Sequence, residues 1–361
     1  MKQEKKRCSV GVMRESFIAA NGYGGFRSRY DEVYRNEEFD RLFVIAGGPG
    51  TGKSRTMKEI ALAAQEMGAD VEYIYCSSDP SSLDGVIAEK GAHRVAILDG
   101  TAPHRRSADL PGVKDELINL GDFWDADVLL KERGSILDLT RRKGEAYDRT
   151  YRYLAVAGEA SALLKKTLEK CMYRSKMEGA IDREIKKLQR CSKPEISTRY
   201  ISAFGMRGYE RLPLPPEARN VVSVSNEYGS ASLYLSVFCD KLKAARAYTF
   251  RIFPSCFADD EIEGFFLPQN NIAFLEDTAG ADRQINMRRF LDAKAVARNR
   301  ADIRCALKVR ARMLEEAQNS LHEVGEAHFA LEKIYGEAMN FQEKEKYTKK
   351  LIARVLSFLD G

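Results

Sequence analysis

The chain is a tandem duplication, which limits its fold more than any other feature. Residues 17–26 read FIAANGYGGF and residues 200–209 read YISAFGMRGY, so Gly22 matches Gly205 and Gly25 matches Gly208. RLFVIA at 41–46 has a counterpart in RNVVSV at 219–224, VEYIYCSS at 71–78 in TFRIFPSC at 249–256, and VAILDGTA at 95–102 in IAFLEDTA at 272–279. The spacing from Arg41 to Arg219 is 178 residues, and from Val95 to Ile272 it is 177. Similar segments in one order at near-constant spacing predict two copies of one α/β unit: a parallel sheet flanked by helices. The polar, proline-containing stretch CSKPEIS at 191–197 sets the boundary, giving units at 1–190 and 191–361.

Each unit continues into a long helical arm, at about 125–190 and about 290–361. Leu154, Ala157, Ser161, Leu164, Leu168 and Cys171 step by three and four, as in a coiled-coil seam. Leu321, Val324, His328, Leu331, Tyr335 and Ala338 repeat those steps 167 residues later. Packing of the two arms on each other is the economical expectation; self-association or a protein partner would give the same pattern. His328, on the seam, reads as a packed residue rather than a ligand. Leu351, Ile352, Val355, Leu356 and Leu359 share one face of a last helix, which predicts a core cap, with membrane-surface binding as the alternative.

Between the apolar run Leu42-Phe43-Val44-Ile45-Ala46 and a helix-like stretch from Arg55 lies Gly47-Gly48-Pro49-Gly50-Thr51-Gly52-Lys53-Ser54. This satisfies the phosphate-binding pattern G-x-x-x-x-G-K-[ST], in which a glycine-rich turn opening a helix directs backbone N–H groups at an anion. Lys53 is expected to reach the outer phosphates and Ser54 to ligate Mg2+, with Arg55 next in line on the helix. Asp99 ends the apolar strand beginning at Val95 and is the expected second holder of Mg2+, although a turn before Gly100 would also explain it. Gly100 stands where many ATP-hydrolysing motors carry a water-polarising glutamate, so another group must activate water or hydrolysis is slow.

Asp79 and Asp84, after the second strand of the unit, are candidates to orient water or an acceptor hydroxyl, while Ser78 and Asp79 before Pro80 equally suit a helix cap. Arg105 and Arg106 are candidates to neutralise phosphate charge, Arg283 could enter from the second unit, and His104 is a weaker acid–base candidate. In the second copy the loop becomes SNEYGSAS at 225–232: Ala231 replaces Lys53, Ser230 replaces Gly52, and Glu227 adds a negative charge. That copy reads as a pseudo-domain. No N-K-x-D guanine signature occurs, which favours ATP over GTP.

The strings GGPGTGKS, CSSDPSSLDGV, AILDGTAPH and INLGDFW together resemble a family of bacterial, Firmicutes-type ATPases built from two tandem P-loop units with helical insertions. The resemblance implies nucleotide on residues 47–54 and metal near Asp99. Some relatives keep a phosphate loop in both units, and this sequence departs from that at 225–232.

Composition adds boundaries. A net charge of +5 on 361 residues does not indicate a nucleic-acid partner, and no run nears the roughly 18 apolar residues of a membrane span. Seven cysteines without a C-x-x-C pair read as reduced thiols and suggest a cytoplasmic protein, with Cys76 and Cys239 as buried small hydrophobes. The expectation is Mg2+-dependent ATP binding and hydrolysis coupled to the arms. A small-molecule or nucleotide kinase and a non-catalytic nucleotide sensor are the alternatives.

Overall fold

The computed structural model describes residues 11–101 and 109–360. The first repeat contributes β1 (Met13–Phe17), β2 (Ala19–Gly22), β3 (Gly25–Ser28), β4 (Arg41–Ala46), β5 (Asp70–Tyr75), β6 (Leu83–Lys90), β7 (His93–Asp99) and β8 (Asp115–Asn119). The second contributes β9 (Ile196–Thr198), β10 (Ser202–Gly205), β11 (Gly208–Arg211), β12 (Asn220–Val224), β13 (Phe250–Pro254), β14 (Ile262–Leu267), β15 (Ile272–Glu276) and β16 (Arg283–Ile285). Two six-stranded sheets result, ordered β1-β5-β6-β7-β4-β8 and β9-β13-β14-β15-β12-β16, and two hairpins, β2-β3 and β10-β11. Strand for strand the orders coincide, so the duplication is structural.

The sheets are mixed, which corrects the expectation of a parallel sheet. β4 runs parallel to β7 and β8, and β1 parallel to β5, but β6 is antiparallel to both its neighbours, as is β14. Short connections are the cause. Only Gly91 and Ala92 separate β6 from β7, with Gly91 at φ +62°, and so tight a turn can return a strand only antiparallel.

The helices are α1 (Tyr30–Val33), α2 (Lys53–Glu66), α3 (Ala126–Lys131), α4 (Arg133–Lys170) and α5 (Arg174–Ile185), then α6 (Ala231–Ala245), α7 (Ala293–Arg298), α8 (Arg300–Glu337) and α9 (Phe341–Asp360). From Leu42 on β4 is apolar, and both its faces are covered. Phe43 and Ile45 pack with Val95 and Ile97 under α2, while Leu42 and Val44 pack with Leu98, Tyr30, Tyr34 and Phe39 on the other side.

The long arms α4 and α8 follow their sheets rather than interrupting them, and they pair antiparallel. Leu164 and Leu168 meet Ile303 and Ala306 near one end, and Arg149 pairs with Glu323 toward the other. Leu154, Ala157, Leu321 and Val324 of the expected seams are fully buried, and Leu164, Leu168 and Leu331 nearly so. Beyond the arms the chain crosses over. Met177 and Ile181 of α5 enter the core of the second sheet with Tyr234, Phe238 and Phe265. Leu351, Val355 and Leu359 of α9 enter that of the first with Phe43, Met57 and Ile60, so the last helix is a core cap, on the opposite repeat. Each core therefore takes in a helix from across residue 190.

The repeats also meet at their hairpins. The amide and carbonyl of Phe17 exchange hydrogen bonds of 2.8 and 2.9 Å with those of Tyr200, its own counterpart, which marks a pseudo-twofold axis. Gly22 and Gly205 permit the close approach: a Cβ on Gly22 would stand 2.6 Å from Phe257 O, and one on Gly205 2.6 Å from Ser78 O. The repeated FIAANGYGGF and YISAFGMRGY segments are thus the contact by which each copy holds the other.

Candidate phosphate-binding site

β4 delivers the chain to the glycine-rich loop, and α2 begins at Lys53. Gly50 and Gly52 adopt φ of +74° and +78°, left-handed backbone that glycine accepts without steric cost. Thr51 Oγ1 donates to Gly48 O at 2.9 Å and closes the turn. Lys53 Nζ folds back over the loop, donating to Gly47 O at 2.7 Å and Gly48 O at 2.9 Å, and stands 3.6 Å from Asp99 Oδ2. Pro49 lies half-buried in the same loop.

The sheet register assembles the acids. β4 pairs Ile45 with Asp99, which sets that carboxylate beside the loop. The β6–β7 ladder pairs Gly85 with Leu98, so Asp84 stands one step further on, opposite Asp99. Both are buried. Burial raises the Asp99 pKa; Lys53 opposes that rise and Asp84 adds to it. Ser54 Oγ accepts from the Leu83 amide at 2.9 Å, which places its hydroxyl next to Asp84. Ser54, Asp84 and Asp99 bring oxygen donors, the kind that Mg2+ takes, to the end of the glycine-rich loop. Asp84 belongs to β6 rather than to the preceding loop. Cys76, half-buried, has its thiol pushed up by burial and by Asp84, whereas Cys239 is fully buried.

Asp79 is committed locally: its Oδ1 accepts from Ser81 Oγ at 2.8 Å and lies 3.7 Å from Arg207 of the β10–β11 hairpin. The Asp79 carboxylate thus closes its own turn and faces a cation of the second repeat. Arg55 lies exposed on α2, paired with Glu59 at 2.9 Å and Glu345 at 3.6 Å. Arg283 forms a two-pronged pair with Glu184 on α5 and takes no part in the loop. His104, Arg105 and Arg106 lie outside the described residues.

The second repeat and both arms complete the site, which the sequence did not disclose. A Cβ on Gly50 would stand 2.3 Å from Glu332 O of α8, and one on Gly48 3.2 Å from the Trp124 ring, which in turn packs on Tyr335. Lys344 Nζ of α9 donates to Gly52 O at 3.4 Å. His328 lies 3.6 Å from Glu332, and burial followed by repulsion from Lys143 pushes its pKa down to about 4, so it is neutral at pH 7. The 167-residue arm repeat is the one sequence signal that could have brought these helices to the loop.

The corresponding loop in the second repeat is folded differently. Asn226 Oδ1 accepts from the Ala231 amide at 3.0 Å, and its own amide donates to Asp277 Oδ1 at 3.1 Å. Glu227 pairs with Arg288 at 2.8 Å. Two backbone donors of this loop are thus taken by carbonyl and carboxylate side-chain oxygens of Asn226 and Asp277.

Comparison of the chain with protein-family models, with curated proteins and with solved structures finds no match. Among the described residues, no helix is long and apolar enough to cross a membrane, and no cluster of three or more His, Cys, Asp or Glu side chains forms a ready-made metal site.

Proposed function

We propose that the chain is a P-loop protein that binds ATP with Mg2+ on residues 47–54, hydrolyses it, and passes the change to the paired arms. One observation carries the reading: Lys53 closes over the Gly47 and Gly48 carbonyls, at a helix start framed by left-handed glycines, 3.6 Å from a buried strand-end aspartate. In this reading the ammonium releases those carbonyls for the β- and γ-phosphates, and Ser54 and Asp99 hold the metal through oxygen. Asp84, facing Asp99, is the carboxylate placed to orient water. Contact of Gly50 with α8 gives the arms direct access to the loop's state.

The test is Mg-ATP titration and phosphate release with the parent protein and Lys53→Ala. Lysine-dependent binding with acceptor-free phosphate release is expected, with affinity falling at least tenfold in the variant. ADP formation that requires an added acceptor would replace hydrolysis with a kinase, and binding without turnover would leave a sensor. A parent protein that binds no nucleotide would refute the reading.

A further inference from the structure

The α4 face turned toward the loop carries a cation, Lys143, to which the proposed function gives no role. Residues 143, 147 and 151 are four apart and share that face. Tyr147 Oη reaches Ser78 Oγ at 3.2 Å and Tyr151 Oη reaches Asn21 Oδ1 at 2.9 Å, so the face looks onto the 76–82 connection and the first hairpin. Lys143 lies one turn nearer the helix start. It is half-buried and, among the described residues, makes no hydrogen bond or ion pair. Burial and then the neighbouring Lys53 ammonium push its pKa down, while Cys76 and then Glu332 partly oppose them.

Among the described residues, the other cations around the loop are engaged. Lys53 holds Gly47 and Gly48, Lys58 donates to Ser81 O, Arg207 sits on Asp79, and Lys344 donates to Gly52 O. Two partly buried ammonium groups that repel each other, one of them without a hydrogen bond or ion pair among the described residues, cost free energy that an anion between them would recover. The second repeat shows the same aim. Arg310 follows Lys143 by the 167 residues of the arm repeat, and its Nη1 lies 3.6 Å from where a Cβ on Gly229 would stand, in the loop matching residues 47–54. Duplication has kept a cation at this arm position facing this loop, even where the loop lysine is gone.

We propose that Lys143 is the contact through which α4 grips the terminal phosphate of the bound nucleotide, so that the arm distinguishes a triphosphate from a diphosphate. The inference rests on the nucleotide-binding reading. The γ-phosphate carries most of the extra charge of ATP over ADP, and a lysine serves it as a point charge. Because α4 is locked along α8 by the buried seam, gaining or losing this contact acts on both arms.

Calorimetric titration of the full chain with Mg-ATP, Mg-ADP and tripolyphosphate tests it, using the parent, Lys143→Ala and Lys143→Arg. Lys143→Ala should weaken ATP and tripolyphosphate about tenfold or more and ADP less than twofold, while Lys143→Arg keeps most of the preference. Without nucleotide, Lys143→Ala should melt at or above the parent temperature, since it removes a repelled cation, which separates this role from a structural one. Equal losses for ATP and ADP, or no loss for either, would overturn the Lys143 assignment while leaving nucleotide binding intact. A parent that binds neither nucleotide overturns the underlying reading instead.

Discussion

Asp99 and Glu276 occupy the same place in the two repeats, at the end of a strand beside the loop, each facing a second carboxylate across the ladder. Asp84 faces Asp99, and Glu263 faces Glu276, because Gly264 pairs with Leu275 as Gly85 does with Leu98. Lys53 partly offsets the burial of Asp99, whereas Ala231 offers Glu276 nothing. Burial and then Glu263 therefore push the Glu276 pKa up to about 8, Arg211 only partly opposing them. A carboxyl raised from 4.5 to about 8 binds its proton more tightly folded than unfolded. Its stabilising contribution is complete below pH 4.5 and is lost as pH rises to 8, by about 5 kcal/mol over the whole interval. Urea midpoints measured at pH 6 and pH 9 should fall across that interval in the parent and fall distinctly less in Glu276→Gln; equal slopes would refute the assignment. A second residue-scale prediction concerns Gly50. Its left-handed φ and the 2.3 Å approach to Glu332 O mean that Gly50→Ala must both strain the loop and displace α8. The expected cost is about 2–4 kcal/mol in urea unfolding. Gly91→Ala, at φ +62° with open space around it, should cost about 1 kcal/mol. At this scale the pattern of glycines, lysine and serine was legible because local chemistry fixes its spacing. Lys143 was not, since its meaning depends on where a helix some ninety residues downstream lies.

Among the elements, the direction of β6 and β14 escaped the sequence reading for a definite reason. LDGVIAEK and IEGFFL bury residues on both faces, and such a run reads alike in a parallel or an antiparallel strand. The discriminating signal was the two-residue link at Gly91 and Ala92, which no helix could occupy. The arm seams were legible because a three-four step of apolar residues needs no knowledge of the partner. What that step could not supply was the antiparallel sense of the pairing, or the exchange of α5 and α9 that follows from it. α9 tests the exchange. Leu351 is 1 % exposed in the core of the first sheet, so Leu351→Ala should lose about 2–4 kcal/mol by chemical denaturation. Leu137→Ala, at a position 57 % exposed on α4, should stay within about 0.5 kcal/mol of the parent. Similar losses at the two positions would mean that α9 does not close that core.

For the molecule as a whole, exchange makes the two repeats mutually dependent. A fragment of residues 1–190 carries the glycine-rich loop, Lys53 and Asp99, yet it lacks α9, whose Leu351, Val355 and Leu359 cover the first sheet. Each such side chain contributes about 1.5–3 kcal/mol on burial, so the three together rival the 5–15 kcal/mol that stabilises a typical domain. The complementary fragment, residues 191–361, lacks α5 and leaves Phe238 and Phe265 without Met177 and Ile181. The paired hairpins lose their partners as well, exposing Phe17 and Tyr200 along the pseudo-twofold axis. Neither fragment alone should melt cooperatively by circular dichroism, although each spans one complete sheet. Mixing or co-expressing them should restore one cooperative transition and a species of full-chain size on gel filtration. The loop gives this prediction a functional readout. Glu332 and Tyr335 of α8 and Lys344 of α9 pack against residues 48–52, so ATP binding should be absent from residues 1–190 and return with residues 191–361. A fragment of residues 1–190 that melts like the full chain and binds ATP equally well would show that the repeats are independent and the exchange incidental.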